Sequence, residues 1–131
     1  MNMIEAARSY VGTPFRHQGR IPGKGLDCVG LLVCAARQAG VDVVDEAGYS
    51  MTPSADLLRQ AVERNNVTLV SEPQPGDVLV MRFSQEPQHL ALYTERDTII
   101  HAYLDIGKVC EHRYADVWRA RTVAVYRLNH G

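Results

Sequence analysis

Nucleophilic catalysis by a thiol needs a cysteine whose anion is stabilised, a base within reach and a third group to orient that base. Cys28, His89 and His101 are candidates for the three roles. Cys28 follows Asp27, a good N-cap, and opens the apolar run Val29-Gly30-Leu31-Leu32-Val33-Cys34-Ala35-Ala36. At the first turn of a helix, unpaired N–H groups and the helix dipole favour an anionic sulfur, so the position predicts a lowered thiol pKa. The alternative makes Cys28 a small hydrophobe filling a helix–sheet seam. Cys34, mid-helix among alanines, and Cys110, in a strand pattern, carry only that packing reading.

His89 begins His89-Leu90-Ala91-Leu92-Tyr93-Thr94, and His101 lies in Ile99-Ile100-His101-Ala102-Tyr103, both apolar strands in which an unpaired imidazole is costly. A lone histidine there reads as a hydrogen-bonded core residue, whereas a matched pair reads as a site. Residues of equal parity share a face of a hairpin when its loop has an odd number of residues. A three-residue loop at Thr94-Glu95-Arg96 pairs His89 with His101, with Cβ atoms about 4.5 to 5.5 Å apart. A two-residue loop would send the rings to opposite faces. His17, in the loop before Cys28, is a candidate substrate contact or a solvated residue. His112, beside Glu111 and Arg113, reads as an edge or surface strand residue, and His130 lies in the tail.

The elements that must position these residues are legible in outline. Residues 3–11 have helical spacing and stop at Gly12-Thr13-Pro14; residues 15–25 form a polar, basic surface loop. Residues 28–38 form a helix buried on most sides and ended by Gly40. After an irregular connection over 41–51, Thr52-Pro53-Ser54 opens a third helix to about Arg64. Short strands follow at 68–71, 77–83, 89–94, 98–103, 109–114 and 122–128. Helices first and strands second predict an α+β fold, N-terminal helices on a C-terminal antiparallel sheet.

A length of 131 residues predicts one domain, 1–131. Fourteen basic against fifteen acidic side chains, a net charge of -1, exclude the electrostatic footprint of a general nucleic-acid binder. Three cysteines without a Cys-x-x-Cys pair argue against a disulfide scaffold or zinc ribbon. Residues 1–8 lack a basic segment followed by an apolar one, and no apolar run approaches the roughly 18 to 20 residues of a membrane span. The expectation is a chain made in the cytoplasm without a signal peptide, with no membrane insertion, metal or cofactor.

Five segments in order resemble the NlpC/P60 family of papain-like cysteine peptidases, especially its short phage-tail and gene-transfer-agent members. Gly12-Thr13-Pro14-Phe15-Arg16-His17-Gln18-Gly19 is similar to the loop before the nucleophile, and Gly25-Leu26-Asp27-Cys28-Val29-Gly30-Leu31 to the D-C-S-G motif. Pro75-Gly76-Asp77-Val78-Leu79-Val80, Gln88-His89-Leu90-Ala91-Leu92-Tyr93 and Ile99-Ile100-His101-Ala102 resemble the strands leading to and carrying the two histidines. The resemblance implies a papain-like fold and hydrolysis of peptidoglycan stem peptides. It assigns Cys28 as nucleophile, His89 as base and His101 as the orienting residue, and implies a phage-like tail or baseplate as partner and location; Phe15, Asp27 and His17 are the candidate substrate contacts, Asp27 being first of all the N-cap. Phe15 stands where many members have tyrosine, removing a hydroxyl from the site, and Val29 replaces the usual serine.

Two other readings remain at the level of sequence. The domain could retain the fold as a non-catalytic structural or adaptor part of a tail. Cys28, His89 and His101 could bind zinc, though no residue supplies a fourth ligand.

Overall fold

The structure, a computed structural model, describes residues 1–45, 48–49, 57–83 and 88–129. Helix α1 (Met3–Ser9) begins with a capping box: Asn2 accepts from the Glu5 N–H and Glu5 accepts from the Asn2 N–H. It buries Met3, Ile4, Ala6 and Ala7, and it ends before Val11, which is exposed. The loop expected over 15–25 contains a small antiparallel ribbon, β1 (Arg20–Ile21) and β2 (Gly25–Leu26). Helix α2 (Cys28–Gln38) has the bounds read from the sequence, and Asp27 caps it by accepting from the Gly30 N–H at 2.8 Å. Of the third helix, α3 (Leu57–Glu63) is seen, while its expected start at Thr52-Pro53-Ser54, like His130, lies outside the described residues.

Six strands follow: β3 (Val67–Val70), β4 (Val78–Arg82), β5 (Gln88–Tyr93), β6 (Thr98–Tyr103), β7 (Lys108–Arg113) and β8 (Thr122–Leu128). They form an antiparallel sheet of order β3-β8-β4-β5-β6-β7, so the α+β expectation holds. One face, with Val78, Val80, Leu90, Leu92, Ile100, Ala102 and Val109, packs against α1 and α2. The other, with Leu79, Met81, Ala91, Ile99, Tyr114 and Val125, is met by Trp118 from helix α4 (Asp116–Arg121). The sequence did not announce α4: it has six residues, no side-chain cap and no buried residue. Strand alternation puts His89 with Ala91 and His101 with Ile99 on this second face.

The β5–β6 hairpin corrects the expected register. Tyr93 pairs with Ile99 and Leu92 with Ile100, so the loop is Glu95-Arg96-Asp97, one residue later than expected. A three-residue hairpin loop ends on a residue in the left-handed region. Asp97 takes it at φ 56, which an aspartate tolerates, while a loop at 94–96 would ask this of Arg96. The Asp97 carboxylate accepts from Tyr93 Oη at 2.5 Å and Arg119 Nη2 at 2.8 Å, fixing the turn. The residue count stays odd, so the two histidines still share a face, but as diagonal neighbours: His101 falls level with Ala91.

Gly30 is required by a close approach. A Cβ there would collide with the Gly19 carbonyl oxygen and lie 3.0 Å from Arg20 Nη1, so the bare first turn of α2 is where the preceding loop rests. Replacing Gly30 with alanine should force that loop off the helix and cost about 1 to 3 kcal/mol. Urea unfolding midpoints of wild type and Gly30→Ala read the loss directly.

Candidate active site

Asp27 organises the start of α2. It is buried, and its two oxygens accept from the Gly30 N–H (2.8 Å), the Gln18 N–H (2.7 Å), Arg20 Nη1 (3.2 Å) and the Tyr49 hydroxyl. Arg20 also donates to Asp45 at 3.0 Å and to Tyr49 Oη at 3.0 Å. The carboxylate, expected first as an N-cap with a compatible substrate role, is the cap and is engaged within the chain, holding the loop and the helix together. His17 is half-buried, with its ring edge-on to Tyr49 at 5.5 Å between centroids. Phe15 is half-buried beside β2: the Leu26 N–H donates to Pro14 O at 3.1 Å and the Arg16 N–H to Leu26 O at 3.0 Å, while the Phe15 N–H donates to Gly107 O at 2.8 Å. That clamp places Phe15 level with Leu26, two residues before Cys28.

The sheet opens where Cys28 meets it. β5 pairs with β4 along its whole length, but its ladder with β6 holds only at Tyr93↔Ile99 and Leu92↔Ile100. Thr94 N–H reaches Thr98 O at 3.0 Å and Tyr93 N–H reaches Asp77 O at 2.9 Å, so even-numbered residues of β5 point their N–H toward β6. Leu90 N–H therefore faces the gap where β5 and β6 part, and this N–H and that of Val29 both act to lower the Cys28 thiol pKa. Leu90 is the residue after His89 on β5. Among the described residues no hydrogen bond joins Cys28 to His89.

The thiol pKa departs from expectation. Burial first, and then the negative Asp27, push it up to about 12, against the lowering effect of the Leu90 and Val29 N–H groups and of Arg20. The helix-start effect is present and is outweighed, first by desolvation of the half-buried thiol and then by the negative residue that caps the helix. Cys28 rests as a neutral thiol.

The two histidines meet as the sequence implied, and a third joins them. His89 Nε2 lies 2.7 Å from His101 Nδ1, and His101 Nε2 lies 2.8 Å from His112 Nε2. His101 is fully buried and His89 nearly so, under Phe83, Tyr103 and Trp118; the Trp118 ring stands 5.0 Å from those of both His101 and His112. Burial holds the pKa of His89 well below the imidazole range, and burial followed by the neighbouring His89 and His112 does the same for His101. Both are neutral.

The direction of this chain follows from its last member. His112 Nδ1 lies 3.0 Å from the Arg113 carbonyl oxygen, which can only accept, so Nδ1 carries the hydrogen. With that hydrogen on Nδ1, the Nε2 lone pair of His112 accepts; His101 donates from Nε2 and accepts at Nδ1; His89 donates from Nε2. His89 is left with an unprotonated Nδ1, the lone pair a general base requires. Reading His112 as an edge-strand residue was right about the strand and missed the ring. The overlooked signal is the even, four-residue loop 104–107: pairing Tyr103 with Lys108, it puts His101 opposite Cys110 and His112 opposite Ile99, all on one face.

The NlpC/P60 family model matches residues 12–127. The chain belongs to the NlpC/P60 family. A probable endopeptidase of Mycobacterium tuberculosis is 30% identical over 100 residues, 76% of this chain and 22% of that protein. Dipeptidyl-peptidase 6 of Lysinibacillus sphaericus is 30% identical over 108 residues, 82% of this chain and 34% of that protein. This NlpC/P60 chain thus spans about a fifth to a third of the curated relatives it matches. The structure of the peptidoglycan hydrolase RipB from M. tuberculosis is similar with a TM-score of 0.69 at 20% identity, over 98% of this chain and 64% of that one. The papain-like NlpC/P60 fold expected from the motifs is the fold observed.

The depressed imidazoles carry a stability signature. Below the ordinary imidazole value of 6.5 the unfolded chain takes up protons that native His89 and His101 refuse, so stability should fall as pH drops from 7.5 to 5. Each ring adds up to about 1.4 kcal/mol per pH unit. Urea midpoints measured across that range should show a shallower slope in the His89→Gln/His101→Gln double variant than in wild type.

Proposed function

We propose that this NlpC/P60 domain is a cysteine endopeptidase or amidase that hydrolyses peptidoglycan stem peptides through Cys28, His89 and His101. The carrying observation is the one-directional imidazole chain, which leaves His89 Nδ1 with a free lone pair on the residue next to Leu90, whose N–H acts on the Cys28 thiol. The names of the relatives, an endopeptidase and a peptidoglycan hydrolase among them, support the substrate class.

In this mechanism thiol and base start neutral. As a substrate amide presses the sulfur toward His89, the Cys28 proton passes to His89 Nδ1 while sulfur attacks the carbonyl carbon. The Cys28 backbone N–H, at the unpaired start of α2, is placed to meet the oxyanion. The imidazolium formed on His89 is buried and costly, and the His101–His112 chain relieves it. Moving the His89 Nε2 proton to His101 Nδ1, and the His101 Nε2 proton to His112 Nε2, carries the charge to the half-buried His112. The sequence reverses to protonate the leaving amine. An acyl-enzyme remains, and water releases the acid.

The neutral thiol also bears on the adaptor reading, since slow alkylation of Cys28 near neutral pH is expected of either. The two part on substrate. Purified peptidoglycan digested with wild type should yield new muropeptide fragments by mass spectrometry, and Cys28→Ala should lower their rate by roughly 10⁴-fold or more. Equal rates would favour the adaptor. Iodoacetamide modification of wild-type Cys28 should accelerate as pH rises through the alkaline range, without a plateau at pH 5 to 7.

The setting we propose is a phage-like tail or baseplate, supported by the likeness of the five motifs to tail and gene-transfer-agent members. Mass spectrometry of purified particles from the producing strain should detect the chain in the tail fraction; its confinement to the soluble cell extract would refute that setting.

A further inference from the structure

Among the described residues, His101, Cys110 and His112 bring one nitrogen or sulfur ligand atom each to within 4.8 Å of one another. The hairpin builds this cluster: His101 on β6 is directly opposite Cys110 on β7, and His112 is two residues further along β7 on the same face. β7 is the edge of the sheet, and Cys110 and His112 are half-buried, so the cluster is reached from outside while His101 is not. The packing reading given to Cys110 by the sequence leaves out this company.

We propose that His101, Cys110 and His112 form a zinc site whose occupation switches off the base. Two imidazoles and a thiolate suit a borderline-soft divalent cation, with solvent in the fourth position. Bonds of about 2.0 to 2.1 Å to nitrogen and 2.3 Å to sulfur at tetrahedral angles put the two nitrogens about 3.3 Å apart and each about 3.6 Å from sulfur. The Nε2 atoms now stand 2.8 Å apart in rings that meet nearly end to end, so the rings must part by about half an ångström and turn until both lone pairs point at the metal, with the sulfur drawn in from within 4.8 Å. Both rings already have the outer partners of metal-bound histidines: His112 donates from Nδ1 to the Arg113 carbonyl, and His101 Nδ1 is bonded to His89.

The consequence for His89 follows from counting protons. Zinc needs lone pairs on His101 Nε2 and His112 Nε2. His112 already offers one. On His101 the hydrogen must move from Nε2 to Nδ1, which then donates to His89 Nε2, and the hydrogen displaced there moves to His89 Nδ1. Cys110 gives its proton to solvent; the three imidazoles keep theirs, with two relocated. His89 then presents an N–H where the thiol needs a lone pair. The metal binding stands on the cluster alone, and only the loss of activity rests on the peptidase reading above.

Cobalt(II) is the probe, because a thiolate ligand gives it a charge-transfer band. Wild type and Cys28→Ala should both show that band at one equivalent per chain, and Cys110→Ser should lose it and bind zinc at least about tenfold more weakly. A band that survives Cys110→Ser, or no band in folded wild type, overturns the site. Should Cys110→Ser not fold, long-range ¹H–¹⁵N NMR of the wild-type rings decides. Zinc must shift His101 and His112 Nε2 and turn His89 Nδ1 from unprotonated to protonated. Unmoved His101 and His112 rings overturn the site, and a moved pair with an unaltered His89 overturns the switch. These readouts use no substrate, so they stand if the peptidase reading fails. If it holds, zinc inhibits wild-type muropeptide release at the concentrations that move the rings.

Discussion

The orientation of one hydrogen on His112 decides what His89 can do. Three imidazoles in a row have two self-consistent arrangements of their protons, and nothing in the rings themselves chooses between them. The Arg113 carbonyl makes the choice, since it accepts and cannot donate. Burial under Trp118, Tyr103 and Phe83 keeps His89 and His101 uncharged and so preserves the alternation of donor and acceptor along the row. In the proposed mechanism the base is defined by a relay whose last link is a main-chain carbonyl.

At the other side of the site a single carboxylate sets the geometry and opposes the electrostatics. Asp27 ties the first turn of α2 to Gln18, Arg20 and Tyr49, and its bond to the Gln18 N–H holds that residue at a φ of 59. The same negative charge, one residue from Cys28, works against the thiolate that the start of the helix would favour. In the proposed mechanism the nucleophile is therefore made at the moment of attack rather than stored as an ion pair. A buried neutral pair also avoids holding two charges away from water.

The sequence revealed elements with strong periodicity and explicit caps. Helix α2 was located to the residue because Asp27 and Gly40 bracket an apolar run, and β6 and β8 because Val, Ile, Tyr and Thr cluster there. The shared face of His89 and His101 was legible because parity survives a one-residue error in loop placement. The register itself was not, since it turned on which of Arg96 and Asp97 takes the left-handed turn. Helix α4 stayed hidden because one turn and a half on the surface leaves no periodic stripe, and with it went the aromatic cover of the histidines. The thiol pKa was misread for a related reason: local position gave the sign of one effect, while the larger one came from everything packed around the sulfur.

The terminal link of the imidazole row is a main-chain oxygen. Side chains drift over evolutionary time, and a relay ending on an aspartate or a serine would be exposed to loss at a single codon. Here residue 113 can change identity without altering the group that His112 addresses, provided β7 keeps its path. The polarity of the row therefore rests on the path of an edge strand, and the orientation of the proposed base is carried by topology rather than by the identity of residue 113.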